Sequence, residues 1–321
     1  MRWVGIAGIT LVIAAGLGAG YLLYGSEAPT GLGRVAVPLP PLKGTPELLL
    51  PAPDPRLIEE SANGPLPIIS ADGRQSWQVY ARSFDPNDKR PRVALIITGL
   101  GLDRAMSQAA MDRLAGAITV GFDPYTPALK DAINQARSLG HEALVGLPME
   151  PLDYPRQDPG PLTLLASLGE PQNAARLSKL MGSGSGYVGF VALWGERFTG
   201  EKSALLPVLE TLKQRGLMFV DNKPPSENST ASLASQMKLP WAAANRVLDN
   251  DAEPASIDQA FTEIETAARR NGVALAIAAL SPVLIDRVAA WTPTLDAKGF
   301  ALAPASAIAN RQTIPRTAAT P

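Results

Sequence analysis

The chain has 321 residues, with 30 prolines, 28 glycines, one histidine and no cysteine, and 29 basic side chains stand against 30 acidic ones. The absence of cysteine excludes disulfides, a thiolate nucleophile and any zinc or iron–sulfur centre built on sulfur, and the lone His141 excludes a polyhistidine metal site. A formal charge of -1 offers no basic excess for nucleic acid.

Residues 4–24 carry no charge and, as a helix, span a hydrocarbon core of roughly 30 Å. Trp3, Tyr21 and Tyr24 sit at the two ends, where aromatic rings favour the headgroup region. The run exceeds the apolar core of about 7–15 residues typical of a signal peptide, so residues 1–25 are read as an uncleaved single-pass anchor. The small residues from Gly18 to Gly20 keep a cleavable signal as the alternative. Arg2 is the only nearby basic side chain, which predicts a cytoplasmic N-terminus, insertion in the inner membrane and a periplasmic C-terminal domain. Residues 26–91 follow as a Pro-rich linker and pre-domain segment, with 12 of the 30 prolines between Glu27 and Pro91. Proline lacks an N–H donor and fixes φ, which favours an extended tether. Trp77, Tyr80 and Phe84 mark a second half that packs on the following domain.

From Arg92 short apolar runs alternate with amphipathic segments. Strands are predicted at 93–97, 118–122, 143–147, 187–193, 218–221, 241–244 or 246–248, 273–278 and 301–303. Helices are predicted at 105–114, 127–139, 171–181, 203–215, 230–238, 257–270 and 283–295. Strands that are apolar throughout indicate a parallel sheet covered on both faces. Seven or eight βα units suit a distorted (β/α) barrel, with a doubly wound open sheet as the alternative, and either fold places function beyond the strand C-terminal ends.

The ordered set VALIITGLG (93–101), LVGLPMEP (144–151), GYVGFVALWGERFT (186–199), LETLKQRGLMFVDN (209–222) and LAIAAL (275–280) resembles the divergent polysaccharide deacetylase family. The resemblance covers residues 92–309 and leaves 310–321 as a flexible tail. It implies a barrel of the polysaccharide-deacetylase type and, in active relatives, a metal-activated water that removes acetyl groups from sugar polymers. It further implies an Asp–Asp pair after the first strand and histidines at later strand ends. Here Thr98 and Gly99 occupy the Asp–Asp positions, Gly146 precedes LPMEP, and Leu193 and Ala279 stand at two histidine positions. A catalytic metal needs three protein ligands and an open position, so no cofactor is expected. His141 lies at the opposite end of its strand and reads as a capping or solvent-exposed side chain, while Asp103 could offer only one carboxylate.

Glu150, Glu196, Arg197 and Asp221 are the polar residues expected near the mouth. Trp194 could stack on a sugar ring or fill the space of the missing histidine. The substrate-binding candidates are Trp194, Arg197, Glu150 and Asp221, and the weak catalytic candidates are Glu150, Glu196 and Asp221. Three functions follow: a deacetylase-like pseudoenzyme that binds peptidoglycan or another envelope glycan, or scaffolds an envelope protein partner; a hydrolase with a rearranged site around the three carboxylates; and a structural envelope protein with a vestigial cleft.

Overall fold

A computed structural model describes residues 49–226, 229–248 and 253–315. The described residues belong to one compact unit, Pro46–Pro321. The expected anchor and the first part of the linker lie outside them. Among the described residues no helix is long and apolar enough to cross a membrane.

The described residues open with a small antiparallel pair, β1 (Ile58–Glu59) and β2 (Leu66–Pro67), and one helical turn, α1 (Ser76–Val79). Strands and helices then alternate as β3 (Arg92–Leu100), α2 (Arg104–Arg113), β4 (Thr119–Phe122), α3 (Leu129–Ser138), β5 (Ala143–Met149) and α4 (Glu170–Gly182). The second half continues as β6 (Gly189–Trp194), α5 (Lys202–Gln214), β7 (Met218–Asp221), α6 (Thr230–Gln236), β8 (Trp241–Ala243) and β9 (Arg246–Leu248). It ends with α7 (Pro254–Asn271), β10 (Val273–Ala279), α8 (Pro282–Trp291) and β11 (Ala301–Leu302). The final helix is shorter than its apolar pattern predicts, because Thr292–Thr294 tighten into a 3-10 turn containing Pro293. Side-chain oxygens start several helices: Asp103 accepts from Met106 N–H at 2.9 Å and Ser281 from Leu284 N–H at 3.2 Å, satisfying donors that a helix start leaves orphaned.

The strands of the large sheet are parallel and run β8-β7-β6-β5-β4-β3-β10-β9, with β11 paired to the lower half of β3. Neighbours in sequence, β8 and β9, stand at opposite ends of that order. The link between them closes the circuit, since Ala244 N–H donates to Asp221 O at 2.9 Å and Asn245 N–H to Leu275 O at 2.8 Å. Both of the alternative predicted runs around 241–248 are therefore strands, two halves of one segment passed from β7 to β10. The result is a distorted (β/α) barrel and not an open sheet.

Strand alternation separates two cores. Ala94, Ile96, Leu144, Val191, Val220 and Ile277 fill the interior, and Leu95, Ile97, Val145, Phe190 and Phe219 pack beneath the helices. Burying each of the Val, Leu, Ile and Phe side chains contributes about 1.5–3 kcal/mol.

The lower end of the barrel is stoppered by the pre-domain segment and the chain's C-terminal turn. Leu57 and Tyr80 join Ala303, Ala305 and Ile308 in the interior cluster, with Trp77 and Phe84 packed against it. Arg137 ties the stopper down, donating to Tyr80 O, Gly186 O and Leu50 O at 2.8, 3.1 and 2.6 Å. The Glu142 carboxylate accepts from Arg82 N–H, Ser306 N–H, Ser306 Oγ–H and Thr119 Oγ1–H. Residues 310–312, expected in a flexible tail, are bonded to the barrel as well: Asn310 and Gln312 hydrogen-bond both backbone faces of Trp241–Ala243.

Candidate functional site

At the C-terminal end of the sheet, register brings the expected donor positions together. Thr98 pairs with Ala279 on one side and with Gly121 on the other, and Pro148 pairs with Leu193. Gly99 forms a bulge in β3 with φ at +83°, a conformation glycine adopts without steric cost. A Cβ added to Gly146 would lie 2.4 Å from Leu193 Cδ1 and 3.2 Å from Pro124 Cδ. Gly146 is thus required by the Leu193 side chain that overlies it. The hydroxyl of Thr98 is directed to Ala278 O at 3.4 Å. One hydroxyl, a bare backbone and two aliphatic side chains do not fit a metal, whatever ion is offered. No group of three or more metal-ligating side chains occurs among the described residues.

Glu150 is buried directly after β5. Its Oε2 accepts from Ala166 N–H at 2.6 Å, its Oε1 meets Arg197 Nε at 3.3 Å, and its backbone O accepts from Arg197 and Phe198 N–H, both at 3.2 Å. The pair binds the loop after β5 to the turn after β6, and the Arg197 side chain remains 54% exposed. Glu196 is exposed beside it.

Asp221 departs from its expected place at the mouth. Val220 belongs to the interior, so alternation turns Asp221 outward toward the start of α6. Its Oδ1 accepts from Lys223 N–H at 3.2 Å. Thr230 and Ala231 pull its pKa down, yet no described donor reaches the buried Oδ2 with hydrogen-bond geometry. Burial dominates and pushes its carboxyl up to about 6. Among the described residues no hydrogen bond or ion pair joins any two of Glu150, Glu196 and Asp221, so a paired acid and base is not assembled from them.

His141 is at the lower end, as expected, but wholly buried instead of capping or exposed. Its Nδ1 lies 2.9 Å from Ile118 O and its Nε2 3.0 Å from Met111 O. Two carbonyls favour the doubly protonated ring, but burial outweighs them and draws the pKa down. Asp103 is the cap of α2 described above.

Trp194 ends β6 with φ at +56° and 38% of its surface exposed. A left-handed backbone is costly for a bulky residue. Asn222 holds the turn by donating from Nδ2 to Trp194 O at 2.9 Å. Leu102 and Leu152, on the loops after β3 and β5, are 62% and 69% exposed, so the mouth has an apolar rim. Leu193 fills the space over Gly146, leaving the indole of Trp194 at the surface.

Comparison of donor positions overlooks Asp123, directly after β4. Gly121 faces inward, its Cα side toward Thr98 and Val191, and alternation places Asp123 on that same side two residues later. Burial raises its carboxyl pKa above the ordinary value, with the Tyr125 N–H bond opposing. The signal in the sequence is an acid two positions beyond an inward glycine at a strand end.

The curled parallel sheet and its covering helices define a distorted (β/α)-barrel protein in which the described residues hold no metal-donor set. Residues 95–309 match the sequence profile of the divergent polysaccharide deacetylases, and the chain belongs to that family. An uncharacterized protein of Agrobacterium tumefaciens with a crystal structure is 34% identical, over 76% of this chain and 99% of its own, with a TM-score of 0.73. An uncharacterized Haemophilus influenzae protein is 22% identical over 58% of this chain, and the uncharacterized Escherichia coli protein YibQ 23% identical over 60%. Those matches span 65% and 60% of the two relatives' own lengths, less than two thirds of each.

Proposed function

We propose that this chain is a membrane-anchored periplasmic protein that keeps the deacetylase barrel as a glycan-binding or scaffolding component of the envelope and has no metal-dependent deacetylase chemistry. Family membership supports a deacetylase-like protein of carbohydrate metabolism. The observation that carries the binding reading is Trp194, an exposed indole held in a left-handed conformation on the rim. Backbone strain kept at an exposed aromatic is characteristic of binding surfaces, and the apolar face of an indole stacks on a pyranose ring. The anchor reading rests on the uncharged run 4–24.

Calorimetric titration of the full chain in detergent with chito-oligomers and peptidoglycan fragments tests this reading. Binding is expected with and without chelator, and weaker in Trp194→Ala and Arg197→Ala. Stoichiometric bound metal together with acetate release would contradict it. Cell fractionation tests the anchor: deletion of residues 1–25 should release the protein from the membrane.

A further inference from the structure

β8 ends the sheet order on one side, and among the described residues no strand pairs with its outer edge. The flanking Pro240 O and Ala244 N–H bond to Phe219 and Asp221 of β7. Alternation along the strand therefore turns the N–H and O of Trp241 and Ala243 to the open side. All four groups are taken by the segment that follows the last 3-10 turn, Ala305–Ile308. Asn310 N–H donates to Trp241 O at 2.8 Å, and Asn310 Oδ1 accepts from Trp241 N–H at 3.1 Å. Gln312 Oε1 accepts from Ala243 N–H at 2.7 Å, and Gln312 Nε2 donates to Ala243 O at 2.6 Å. The same Nε2 lies 3.3 Å from Asn245 Oδ1, which accepts from Leu275 N–H at 2.9 Å, so the cover reaches across to β10. Ile314, the next alternate residue, packs against the helix-side core, while Arg311 and Thr313 are exposed.

Two carboxamides thus stand where a strand backbone would. Apart from one N–H, the bonds to β8 come from side chains, so the cover depends on residue identity and is independent of register with the rest of the sheet. The segment starts at Asn310, whose φ of +59° is a left-handed value that asparagine tolerates. Its hold on the edge is aided by its tether, which supplies an effective concentration on the order of millimolar. An unrelated strand gains little here, because β8 turns only Trp241 and Ala243 outward. Carboxamides two residues apart match those two residues, and the same segment of another copy would make the identical bonds. Exchange of an identical element between copies is a low-cost route to association.

We propose that residues 310–314 are an exchangeable strap, and that the β8 edge of one copy is a docking site for the C-terminal segment of a second copy.

Two complementary variants of the full chain test this. Deletion of residues 310–321 leaves an edge without a strap. Ala243→Pro removes the N–H that donates to Gln312, at a position whose N–H does not serve β7, and so leaves a strap without an edge. In sedimentation each variant alone should be a monomer, and their mixture should form a 1:1 complex. A labelled peptide of residues 309–315 should bind the truncated chain, and about tenfold more weakly the intact chain, whose own strap competes. Replacing the peptide's Asn and Gln by Ala should weaken it about tenfold or more. Absence of the mixed complex, with both variants still melting cooperatively, would overturn the proposal, as would self-association of the truncated chain. Equal binding of the Ala peptide would overturn the carboxamide recognition. If Ala243→Pro does not fold, the peptide decides, and failure to bind the truncated chain overturns the site. If truncation unfolds the chain, the Asn310→Ala, Gln312→Ala double variant takes its place. Unfolding of that variant as well would make the segment a fixed part of the fold and overturn exchange.

Discussion

The two ends of the barrel solve opposite problems with similar residues. At the lower end Glu142, Arg137 and His141 are buried, and each is bonded by several backbone or hydroxyl groups. At the upper end Glu150 is bonded in the same way, but two other acids are under-partnered among the described residues: Asp221 has one buried oxygen without a hydrogen bond, and Asp123 has one oxygen uncommitted. The contrast shows where each end's polar groups act. Satisfied buried groups hold a stopper in place, whereas unsatisfied ones cost stability that only function, or an arriving partner, offsets.

The sharpest way to break this comparison is at the lower end. Glu142→Ala strips the acceptor from Arg82 N–H, Thr119 and Ser306 and should cost about 3 kcal/mol or more in urea unfolding. A loss below about 1 kcal/mol would mean that the network holds nothing.

Asp221 gives an effect of opposite sign. Its folded pKa of about 6 lies above the ordinary 3.8, so the native state binds the proton more tightly. That contribution is fully present below about pH 4 and is lost as pH rises through 6. Asp221→Asn should therefore stabilise the fold above pH 6, by up to about 3 kcal/mol, with the advantage disappearing at pH 4. A stability difference that does not change with pH would show that the carboxyl titrates normally.

At the mouth, Trp194→Ala should weaken glycan binding about tenfold, or ~1.4 kcal/mol, with a thermal midpoint close to that of the native chain because the side chain is part-exposed. A large fall in the midpoint would make Trp194 a packing residue. The smallest effect is expected for Arg197→Gln. The guanidinium is half-exposed and Glu150 keeps its bond to Ala166 N–H, so unfolding should shift by about 1 kcal/mol or less.

The barrel was legible in the sequence because strands buried on both faces are apolar throughout and the intervening segments keep helical spacing. The identity of Thr98, Gly99, Leu193 and Ala279 at the positions where the family resemblance implies acids and histidines was legible too. Side-chain direction was harder to read. Asp221 looked like a mouth residue until the inward position of Val220 fixed its neighbour outward. The burial of His141 depends on carbonyls of Met111 and Ile118, 30 and 23 residues away, which no local pattern reveals. The passage through Ala244 and Asn245 is likewise a tertiary event, since a change of bonding partner from Asp221 to Leu275 between two consecutive residues leaves no periodic trace.

The central claim is that the mouth binds glycan without metal chemistry. It is tested most directly by titrating one chito-oligomer into chelator-treated full chain while assaying the same mixture for acetate. The account predicts saturable binding, unchanged when zinc is restored, with no acetate released. Acetate release that requires the metal would contradict it.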